Sequence, residues 1–461
     1  MKLIRFTATK VHGYLDFDIN FKEDVTFLIG INGTGKTSVL KLILGLISPS
    51  YKYLNQIEFE TAELIIGDFL DTPSTLIKAR TTNAEEIDVS LQNNETSLSG
   101  NIKKSEIKIF DSEFSSEEVM EKMKTFQHYF ESQDIYKEIK KITTPLFLGL
   151  DRRIYEGGKI DKMSRYRHYF RRRSANIAQN DPLNVSLIDL QEVIFDYYRV
   201  MGARQAKYNE EFKNKILAQS FDFVEDYPIN LKADYRELLQ KKAQILLAIE
   251  KLSVSYLTDK INMFFDKMVT LLRGIESNII ETDGQIRFSN KDKSDKQNFI
   301  TLQNWFTNQP QLKRIDEIVN FSLQYQKQSE KLSEPVERLK KLIDMFFKES
   351  KKELLIDAEG ELGIKFLSAN KTASCYELSS GEKQILTMIG HLIFFEESFQ
   401  KESGIFIIDE PELSLHLAWQ EIFVSCLIEA SPSTQFILAT HSPAIVADYK
   451  EENCEDLAKL N

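Results

Sequence analysis

The chain has 461 residues, with 59 basic and 70 acidic side chains and a formal net charge of −11. Its amino-terminal segment, MKLIRFTATK, lacks the apolar core of a signal peptide, and no apolar run approaches the length of about 18 that a membrane-spanning helix needs. The three cysteines are too few and too scattered for a disulfide framework or a zinc site. A secreted, membrane-spanning or zinc-finger protein is therefore disfavoured, and a cytoplasmic protein of two or three domains is expected.

The first 150 residues are predicted to form the strand-rich part of an α/β domain. Apolar patterning predicts strands over 2–9 and 25–30, and helical spacing of apolar residues predicts a helix from about Lys36. The remaining predicted elements are, in chain order, an alternating segment at 16–21, antiparallel strands within 56–66 and 84–110, a helix over 115–141 and a short buried strand at 145–150.

Residues from about 155 to 350 are predicted to be mostly helical, and 151–350 carry 34 basic and 29 acidic side chains, a net of +5. Two apolar stripes have helical spacing; they comprise Leu238, Ile245, Ile249, Leu252 and Tyr256, and Leu332, Val336, Leu339, Ile343 and Phe346. Two antiparallel arms of a short coiled coil and core helices of a bundle would both show such stripes, and both interpretations stay open. The polar stretch 281–311 between them is predicted to be a loop or tip.

After residue 350 the sequence returns to strand-like segments, ELLIDAE, LGIKFL, IFIID and QFILAT. The pattern predicts an α/β fold whose parallel sheet is divided along the chain by a helical insertion. The predicted domains are an amino-terminal half of a head at 1–150, a helical or short coiled-coil insertion at 151–350 and a carboxy-terminal half of the head at 351–461.

A phosphate-binding pattern, G-x-x-x-x-G-K-[ST], occurs at 30–37 as GINGTGKT, between a predicted strand and a predicted helix. Backbone N–H groups of such a loop turn inward at a helix N-terminus and bind anions. Lys36 would reach the β- and γ-phosphates of a nucleotide, and the Thr37 hydroxyl would ligate Mg²⁺. The alternative, a glycine-rich turn with a chance lysine, is disfavoured by the flanking elements. The candidate phosphate-binding residues are Asn32, Gly33, Thr34, Gly35, Lys36, Thr37 and Ser38.

A second pattern, IFIIDE at 405–410, is a buried strand that ends in adjacent carboxylates. Asp409 would hold the Mg²⁺ ion, and Glu410, whose side chain points differently because strand side chains alternate, would polarise an attacking water. A strand ending in these two residues also occurs by chance. The pattern gains its weight from the phosphate-binding pattern before it and the segment PELSLH after it.

Two further segments are candidates for contact with a phosphate. Ser379, Ser380 and Gly381 open a predicted helix and offer a hydroxyl and free N–H groups to an anion. A plain N-cap with a Ser-to-Glu capping box also explains them, and both interpretations can hold together. His441 ends the strand QFILAT and would donate to the γ-phosphate, although a lone histidine is more often an ordinary surface residue.

Taken in order, the phosphate loop, LSSGEKQ, FIIDEPE, SLHLAWQ and ATHSP resemble an ABC-type ATPase head of the branch that contains RecF, SMC-like and OLD-family proteins. The resemblance covers about 1–150 and 351–461. LSSGEKQ corresponds to the family's LSGGQ signature and departs from it at Ser380 and Glu382.

The resemblance implies a role for each motif. ATP and Mg²⁺ would bind between the heads of at least two copies of the chain, with Ser379 and Gly381 of one copy contacting the γ-phosphate held by the other. Glu410 would be the catalytic base and His441 the switch histidine, and residues 414–416 would form the D-loop.

The lengths of the segments between and after the motifs distinguish among the kinds of ABC-type ATPase. A transporter domain is disfavoured because about 340 mostly helical residues separate Lys36 from Ser379, and a chromosome-scale SMC protein would have far longer arms. An OLD nuclease would continue into a nuclease domain, whereas 20 residues follow His441, so we expect no nuclease activity of its own. The chain resembles stand-alone ATPases of anti-phage systems such as Septu, PARIS and retrons, which implies a separate nuclease effector. The alternative is a RecF-like DNA-repair ATPase that binds DNA without an effector.

A basic and aromatic cluster, RYRHYFRRR from Arg165 to Arg173, is the candidate partner surface. Its arginines and aromatic rings would bind the phosphates and stack on the bases of a nucleic acid, or dock an acidic protein. A solvated helix face explains the same residues equally well.

Overall fold

The computed structural model of the chain divides into two compact units. The first unit comprises Met1–Tyr198 and Pro335–Asn461, and the second comprises Arg199–Glu334, which lies within the predicted insertion 151–350. The structure describes residues 2–47, 52–69, 74–83, 85–104, 133–142, 145–149, 154–156, 182–221, 235–251, 257–282, 285–288, 295–399, 404–449 and 451–459.

Strands dominate the early part of the first unit, whereas the second unit is mostly helical. The described strands are β1 (Lys2–Val11), β2 (Leu15–Asn20), β3 (Val25–Ile29), β4 (Thr61–Gly67), β5 (Thr75–Asn83), β6 (Glu86–Gln92), β7 (Ser97–Lys103), β8 (Leu146–Leu148), β9 (Ile154–Glu156), β10 (Ile279–Thr282), β11 (Gln285–Phe288), β12 (Lys352–Ile356), β13 (Leu362–Phe366), β14 (Lys371–Ser374), β15 (Ile405–Asp409), β16 (Gln435–Ala439) and β17 (Cys454–Asp456). The described α-helices are α1 (Lys36–Ile47), α2 (Lys52–Gln56), α3 (Asp134–Lys141), α4 (Pro182–Phe221), α5 (Tyr235–Lys251), α6 (Thr258–Asn278), α7 (Asp295–Phe347), α8 (Ser380–Phe399), α9 (Leu417–Ala430) and α10 (Pro443–Val446).

One sheet of the first unit is mainly parallel, in the order β17-β3-β16-β15-β8-β9, with β9 antiparallel to its neighbour. Strands β15 and β16 are buried along their whole length, as expected for parallel strands rich in apolar residues. The carboxyl ends of parallel strands meet at one edge, so the chain emerges there at Gly30, Glu410 and Thr440. The predicted parallel sheet, divided along the chain by a helical insertion, is confirmed.

A second sheet of the first unit is antiparallel, in the order β2-β1-β4-β5-β6-β7. Along β2, the buried residues Leu15, Phe17 and Ile19 alternate with exposed polar residues, so one face of the strand packs inward. That face joins a hydrophobic core that also contains residues of α1, β15 and β16. The predicted antiparallel strands are therefore present, and they share one core with the parallel sheet.

A buried glutamine joins the two sheets. The Gln435 side chain at the start of β16 accepts a hydrogen bond from Leu3 N over 2.8 Å, and its Nε2 donates to Leu3 O over 2.9 Å. The same Nε2 donates to Lys22 O over 2.7 Å. Because Gln435 is fully buried, its amide is costly to leave unpaired, so these bonds hold β1 against the parallel sheet.

In the second unit, α4 and α7 form an antiparallel helix pair. Gln205 donates a hydrogen bond to the Tyr325 hydroxyl over 2.7 Å, and Phe212 stacks on the Tyr325 ring with 5.0 Å between centroids. One turn further along α4, the Lys215 ammonium lies 5.4 Å from the centroid of the Phe321 ring. Residue numbers rise along one helix as they fall along the other, so the chain directions oppose. Antiparallel arms were one of the two interpretations left open from the apolar stripes, whereas these contacts between the two helices are polar and aromatic.

Of the two interpretations left open for the apolar stripes, the paired arms do not hold, because the described residues of the first stripe lie in a core of the second unit and most of the second stripe belongs to the first unit. The described residues of the first stripe are Leu238, Ile245 and Ile249. They lie on α5 in a core of the second unit with Phe265 of α6 and Trp305 of α7. The second stripe reaches the first unit, where Phe346 meets the Trp419 ring of α9 at 5.8 Å. An apolar stripe shows that a helix buries one face, but it does not show what covers that face.

The prediction of a loop or tip over 281–311 is wrong from Asp295 onward, because α7 begins there. Before α7, the strands β10 and β11 form an antiparallel pair. Leu252, Tyr256 and most of the predicted helix 115–141 lie outside the described residues. Among the helices that the structure describes, none combines the length and apolar character needed to cross a bilayer.

Candidate functional site

The phosphate-binding pattern forms the turn between β3 and α1, as predicted. At Gly30 the backbone φ is +149°, and a Cβ there would lie 2.7 Å from Thr34 Oγ1, so the turn requires glycine. The Lys36 ammonium donates to Gly30 O over 2.9 Å and to Ile31 O over 3.3 Å. The lysine therefore bridges the loop from within and holds its backbone in a closed turn.

Lys36 is 5% exposed, and this burial lowers the pKa of its ammonium from the ordinary value. Asp409, Glu410 and Glu412 oppose the change, because nearby negative charge favours the protonated form. Among the described residues, no carboxylate forms an ion pair with Lys36. Its charge is therefore available to an anionic ligand.

Asp409 ends β15 beside the start of α1. Its Oδ1 accepts a hydrogen bond from Thr37 Oγ1 over 3.2 Å, whereas its Oδ2 is buried and lacks a hydrogen-bond partner in the described part of the chain. Burial raises the pKa of Asp409 to about 6; the Thr37 hydrogen bond opposes that rise and the Glu410 charge adds to it. A buried unpartnered carboxylate oxygen beside a hydroxyl is an oxygen donor set of the kind Mg²⁺ prefers, so these two residues fit the predicted metal.

Glu410 and His441 lie at adjacent strand ends. Glu410 has a φ of +50°, uncommon for a residue with a Cβ, and its backbone N–H donates to Ala439 O over 2.9 Å. The His441 Nε2 lies 3.9 Å from Glu410 Oε1, and both side chains are about 30% exposed, at 31% and 27%. The two side chains are therefore close together at the surface of the phosphate-binding turn.

A cavity of about 300 Å³ lies over this turn. It is lined by His12, Tyr14, Leu15, Asn32, Gly33, Gly35, Lys36, Thr37, Ser38, Glu410 and His441. Most of the predicted phosphate-binding residues are thus brought together with the predicted base and switch histidine. Thr34 is not among the lining residues; its hydroxyl donates to Ile31 O over 2.9 Å, so it shapes the turn instead.

Three lining residues, His12, Tyr14 and Leu15, escaped sequence reasoning. His12 and Tyr14 lie in the turn between β1 and β2, Leu15 is the first residue of β2, and His12 Nε2 is 2.8 Å from Ser38 Oγ in α1. Tyr14 is 73% exposed at the margin of the cavity. The positive φ values of His12 and Gly13, +53° and +86°, indicate a tight turn, but nothing in the local sequence places that turn beside residue 38.

The segment LSSGEKQ forms a capping box at the start of α8. Glu382 Oε2 accepts from Ser379 N over 2.8 Å and from Ser379 Oγ over 2.9 Å. Both Glu382 oxygens also accept from the Lys352 ammonium over 2.8 Å. Ser379, Ser380 and Gly381 are not among the residues that line the cavity of the same chain.

Gly381 lies directly against the turn that follows β15. A Cβ on Gly381 would come within 2.5 Å of the Ser414 carbonyl oxygen, so this approach requires glycine. Ser414 has a φ of +73°, which makes it another residue in the left-handed region. The signature segment and the predicted D-loop are therefore packed together in one chain. The basic cluster Arg165–Arg173 lies outside the described residues.

Comparison with known proteins matches residues 1–446 to the family described as AAA ATPase domain. Over 107 residues, 22% of the chain, it is 30% identical to the retron Vc95 probable ATPase of Vibrio cholerae serotype O1 biovar El Tor, covering 21% of that protein. Over 91 residues, 18% of the chain, it is 33% identical to the retron Ec83 probable ATPase of Escherichia coli, covering 17% of that protein. Over 112 residues, 22% of the chain, it is 27% identical to the endonuclease GajA of Bacillus cereus strain VD045, covering 19% of that protein.

The matched segments thus span about a fifth of the length of these curated relatives. Similar solved structures include the Smc head domain of Pyrococcus furiosus, with an extended coiled coil and bound to the C-terminal domain of ScpA. It has a TM-score of 0.38 and 13% identity, with 97% of this chain and 91% of that chain covered. The SMC head domain of Thermotoga maritima has a TM-score of 0.37 and 11% identity, with 97% and 92% covered.

Proposed function

The chain belongs to the AAA ATPase domain family, and we propose that it binds ATP with Mg²⁺ in the cavity described above and hydrolyses it between two copies of the chain. We further propose that this cycle controls a separate nuclease effector in defence against phage. The observation that carries the nucleotide site is the buried Asp409 Oδ2, which has no hydrogen-bond partner among the described residues and lies beside the Thr37 hydroxyl at the start of α1.

The residues of the phosphate-binding turn and of the adjacent strand ends each have a role that follows from their place. The backbone of the turn and the Lys36 ammonium bind the β- and γ-phosphates, since the N–H groups of such a turn and a cationic side chain both attract anions. Thr37 and Asp409 hold Mg²⁺, which when bound neutralises charge on the phosphate oxygens. Glu410 orients the attacking water and accepts its proton, because its carboxylate reaches the cavity. His441, whose Nε2 lies 3.9 Å from Glu410 Oε1, donates to the γ-phosphate.

The arrangement of the signature segment supports a site shared between two copies. Ser379 and Gly381 do not line the cavity of their own chain, although the resemblance assigns both to the γ-phosphate. Gly381 instead packs on Ser414, so one surface carries both the signature segment and the predicted D-loop. A second copy that docks this surface over the cavity would complete the phosphate site and exclude water from it.

The relatives support the link to phage defence and to a nuclease. Two are named retron probable ATPases, and a third is named an endonuclease. Each of the three matches spans only 91 to 112 residues, the size of one part of a protein, which is what an ATPase module coupled to different partners would show. We therefore propose a nuclease as the effector, carried by a different polypeptide.

Two substitutions test the nucleotide site. Lys36→Ala removes the phosphate-binding charge and should weaken ATP binding by about 100-fold, since charge-assisted contacts to the phosphates are lost. Glu410→Gln should keep ATP binding and lower kcat by about 10³-fold, because the general base is lost. Binding is measured by calorimetry and turnover by phosphate release. Glu421→Gln, an exposed carboxylate on α9, is the matched control and should behave as wild type.

Unchanged ATP affinity in Lys36→Ala would refute the site, and unchanged turnover in Glu410→Gln would refute the role of the base. The effector is tested by purifying the chain from its native host and identifying what stays bound. Nuclease activity of the purified chain alone, resistant to both substitutions, would contradict a separate effector. Stable DNA binding without a bound protein would favour a repair ATPase instead.

A further inference from the structure

The Glu412 carboxylate binds the end of the neighbouring strand with both of its oxygens. Its Oε2 accepts from Thr440 Oγ1 over 2.9 Å, and its Oε1 accepts from His441 N over 2.6 Å. Hydrogen bonds to an ionised acceptor are about twice as strong as neutral ones, so this contact is firm. Glu412 therefore fixes the backbone that carries the His441 imidazole.

The residue after His441 is tied to the same segment of chain. The Ser442 hydroxyl donates to Gln420 Oε1 over 2.5 Å, and Gln420 Nε2 donates to Leu415 O over 2.9 Å. Ser442 N also donates to Thr440 Oγ1 over 3.0 Å. The backbone on both sides of His441 is thus held by residues between 412 and 420.

The imidazole itself is less constrained. Its Nε2 is 3.9 Å from Glu410 Oε1, which is longer than a hydrogen bond, and the side chain is 31% exposed. Its position relative to Glu410 is therefore set by the backbone. The turn that supplies Glu412 continues into Ser414, whose carbonyl oxygen lies against Gly381.

We propose that Glu412 is the positioning residue for His441, and that it couples the turn packed on Gly381 to the histidine above the nucleotide. This inference rests on the proposed function, because His441 acts only if the cavity turns over ATP. A shift of the 412–416 turn when a second copy docks reaches the imidazole through these hydrogen bonds.

Three substitutions separate positioning from general support. Glu412→Ala removes both hydrogen bonds and should lower kcat by about 100-fold with ATP affinity changed by less than about threefold, since Glu412 does not line the cavity. Thr440→Val removes the bond to Glu412 Oε2 and the bond that Ser442 N donates to the hydroxyl, but it keeps the bond between His441 N and Glu412, so it should lower kcat by about tenfold. Glu412→Gln still accepts from His441 N and donates to the Thr440 hydroxyl, so it should stay within about fivefold of wild type.

A double-mutant cycle tests whether Glu412 acts through His441. If it does, Glu412→Ala combined with His441→Ala should be no slower than His441→Ala alone. Losses that multiply in the double variant would overturn the proposal. Thermal melting of each variant, followed by circular dichroism, shows which remain folded, and the Gln variant supplies the comparison if the Ala variant does not.

Nuclear magnetic resonance gives a readout that needs no turnover. With ¹³C-labelled histidine, the six imidazole signals are observed, and His441 is assigned by its loss in His441→Ala. The His441 signal should shift or broaden in Glu412→Ala and return in Glu412→Gln. An unchanged signal in Glu412→Ala would overturn the positioning role. A wild-type protein that fails to hydrolyse ATP would refute the proposed function, while this signal would still decide the role of Glu412.

Discussion

The phosphate loop and the signature segment LSSGEKQ both place glycine and hydroxyl residues at the start of a helix. They differ in whether the charged side chains near them have charged partners within the same chain. At the phosphate loop, Lys36 donates only to backbone carbonyls among its described contacts, and Asp409 keeps a buried oxygen without a hydrogen-bond partner in the described chain. In the signature segment, Glu382 accepts from both Lys352 and Ser379 within the same chain. The first segment is left open for a ligand, whereas the charges of the second already stabilise the fold.

The largest expected effect comes from removing the ion pair between Lys352 and Glu382 of the signature segment. Lys352→Met leaves Glu382, which is 3% exposed, as a buried charge without its lysine, and should lower the free energy of unfolding by about 3–5 kcal/mol. Urea unfolding measures the loss. Lys78→Met, which removes a more exposed ion pair with Glu63 (the side chains are 41% and 33% exposed), is the control and should change stability by less than about 1 kcal/mol.

The contribution of Glu382 to stability should also depend on pH, which unfolding measurements over a pH series can detect. Burial acts to raise the pKa of Glu382, but the hydrogen bonds from Lys352 and Ser379 outweigh it and lower the pKa below its usual 4.5. The stability that Glu382 contributes is therefore present above pH 4.5 and is lost as the pH falls through the lower folded-state value. Equal destabilisation by Lys352→Met and Lys78→Met at neutral pH would show that the buried pair is not special.

The next largest effect is a loss of ATP hydrolysis, which tests whether the signature segment contacts the nucleotide bound to the partner copy. Ser379→Arg should leave ATP binding unchanged and lower hydrolysis by about 100-fold, because its bulk and charge would obstruct the partner's γ-phosphate. Mixing this variant with Lys36→Ala should restore partial activity, since one intact site can form in a mixed dimer. No recovery on mixing, or wild-type turnover by a Ser379→Arg monomer, would contradict a shared site.

The smallest expected effect is the change in the free energy of unfolding that comes from the buried carboxyl of Asp409. Asp409 has its folded-state pKa raised to about 6 from 3.8, so it contributes extra stability at low pH that is lost as the pH rises through about 6. Asp409→Asn cannot titrate and keeps the acceptor for Thr37. From pH 8 to pH 5 without Mg²⁺, wild type should gain about 1.5 kcal/mol relative to the variant in urea unfolding. A constant difference across that range would contradict the raised pKa.

The turn between β3 and α1 and the two carboxylates after β15 could be predicted because their geometry is local. The phosphate turn needs glycine at Gly30 and a helix that begins at Lys36, and both requirements are visible within eight residues. Asp409 and Glu410 follow a strand that is apolar along its length, and parallel strands bring such ends together. What the motifs did not reveal was that Thr34 and Asp409 are not among the residues that line the cavity.

Residues whose roles depend on distant contacts were not predictable. Glu412 gains its role from Thr440 and His441, and His12 from Ser38, across separations that no local pattern reports. The α4 and α7 pairing was missed for a related reason. Its contacts include Gln205 and Tyr325, which are not part of any apolar stripe. Apolar periodicity therefore pointed to stripes that pack against other helices.

The order of strands in the parallel sheet has a consequence for synthesis of the protein. Strand β3 ends at Ile29, but its neighbour β16 begins at Gln435, about 400 residues later. At roughly 5–20 residues per second, the ribosome delivers that neighbour about 20–80 s after β3 emerges. The antiparallel strands between Lys2 and Lys103 can pair during this interval, whereas the apolar β3 waits with both edges unpaired. The nascent chain therefore presents an aggregation-prone strand beside an already folding sheet, which makes it a natural client for chaperones that act on the ribosome.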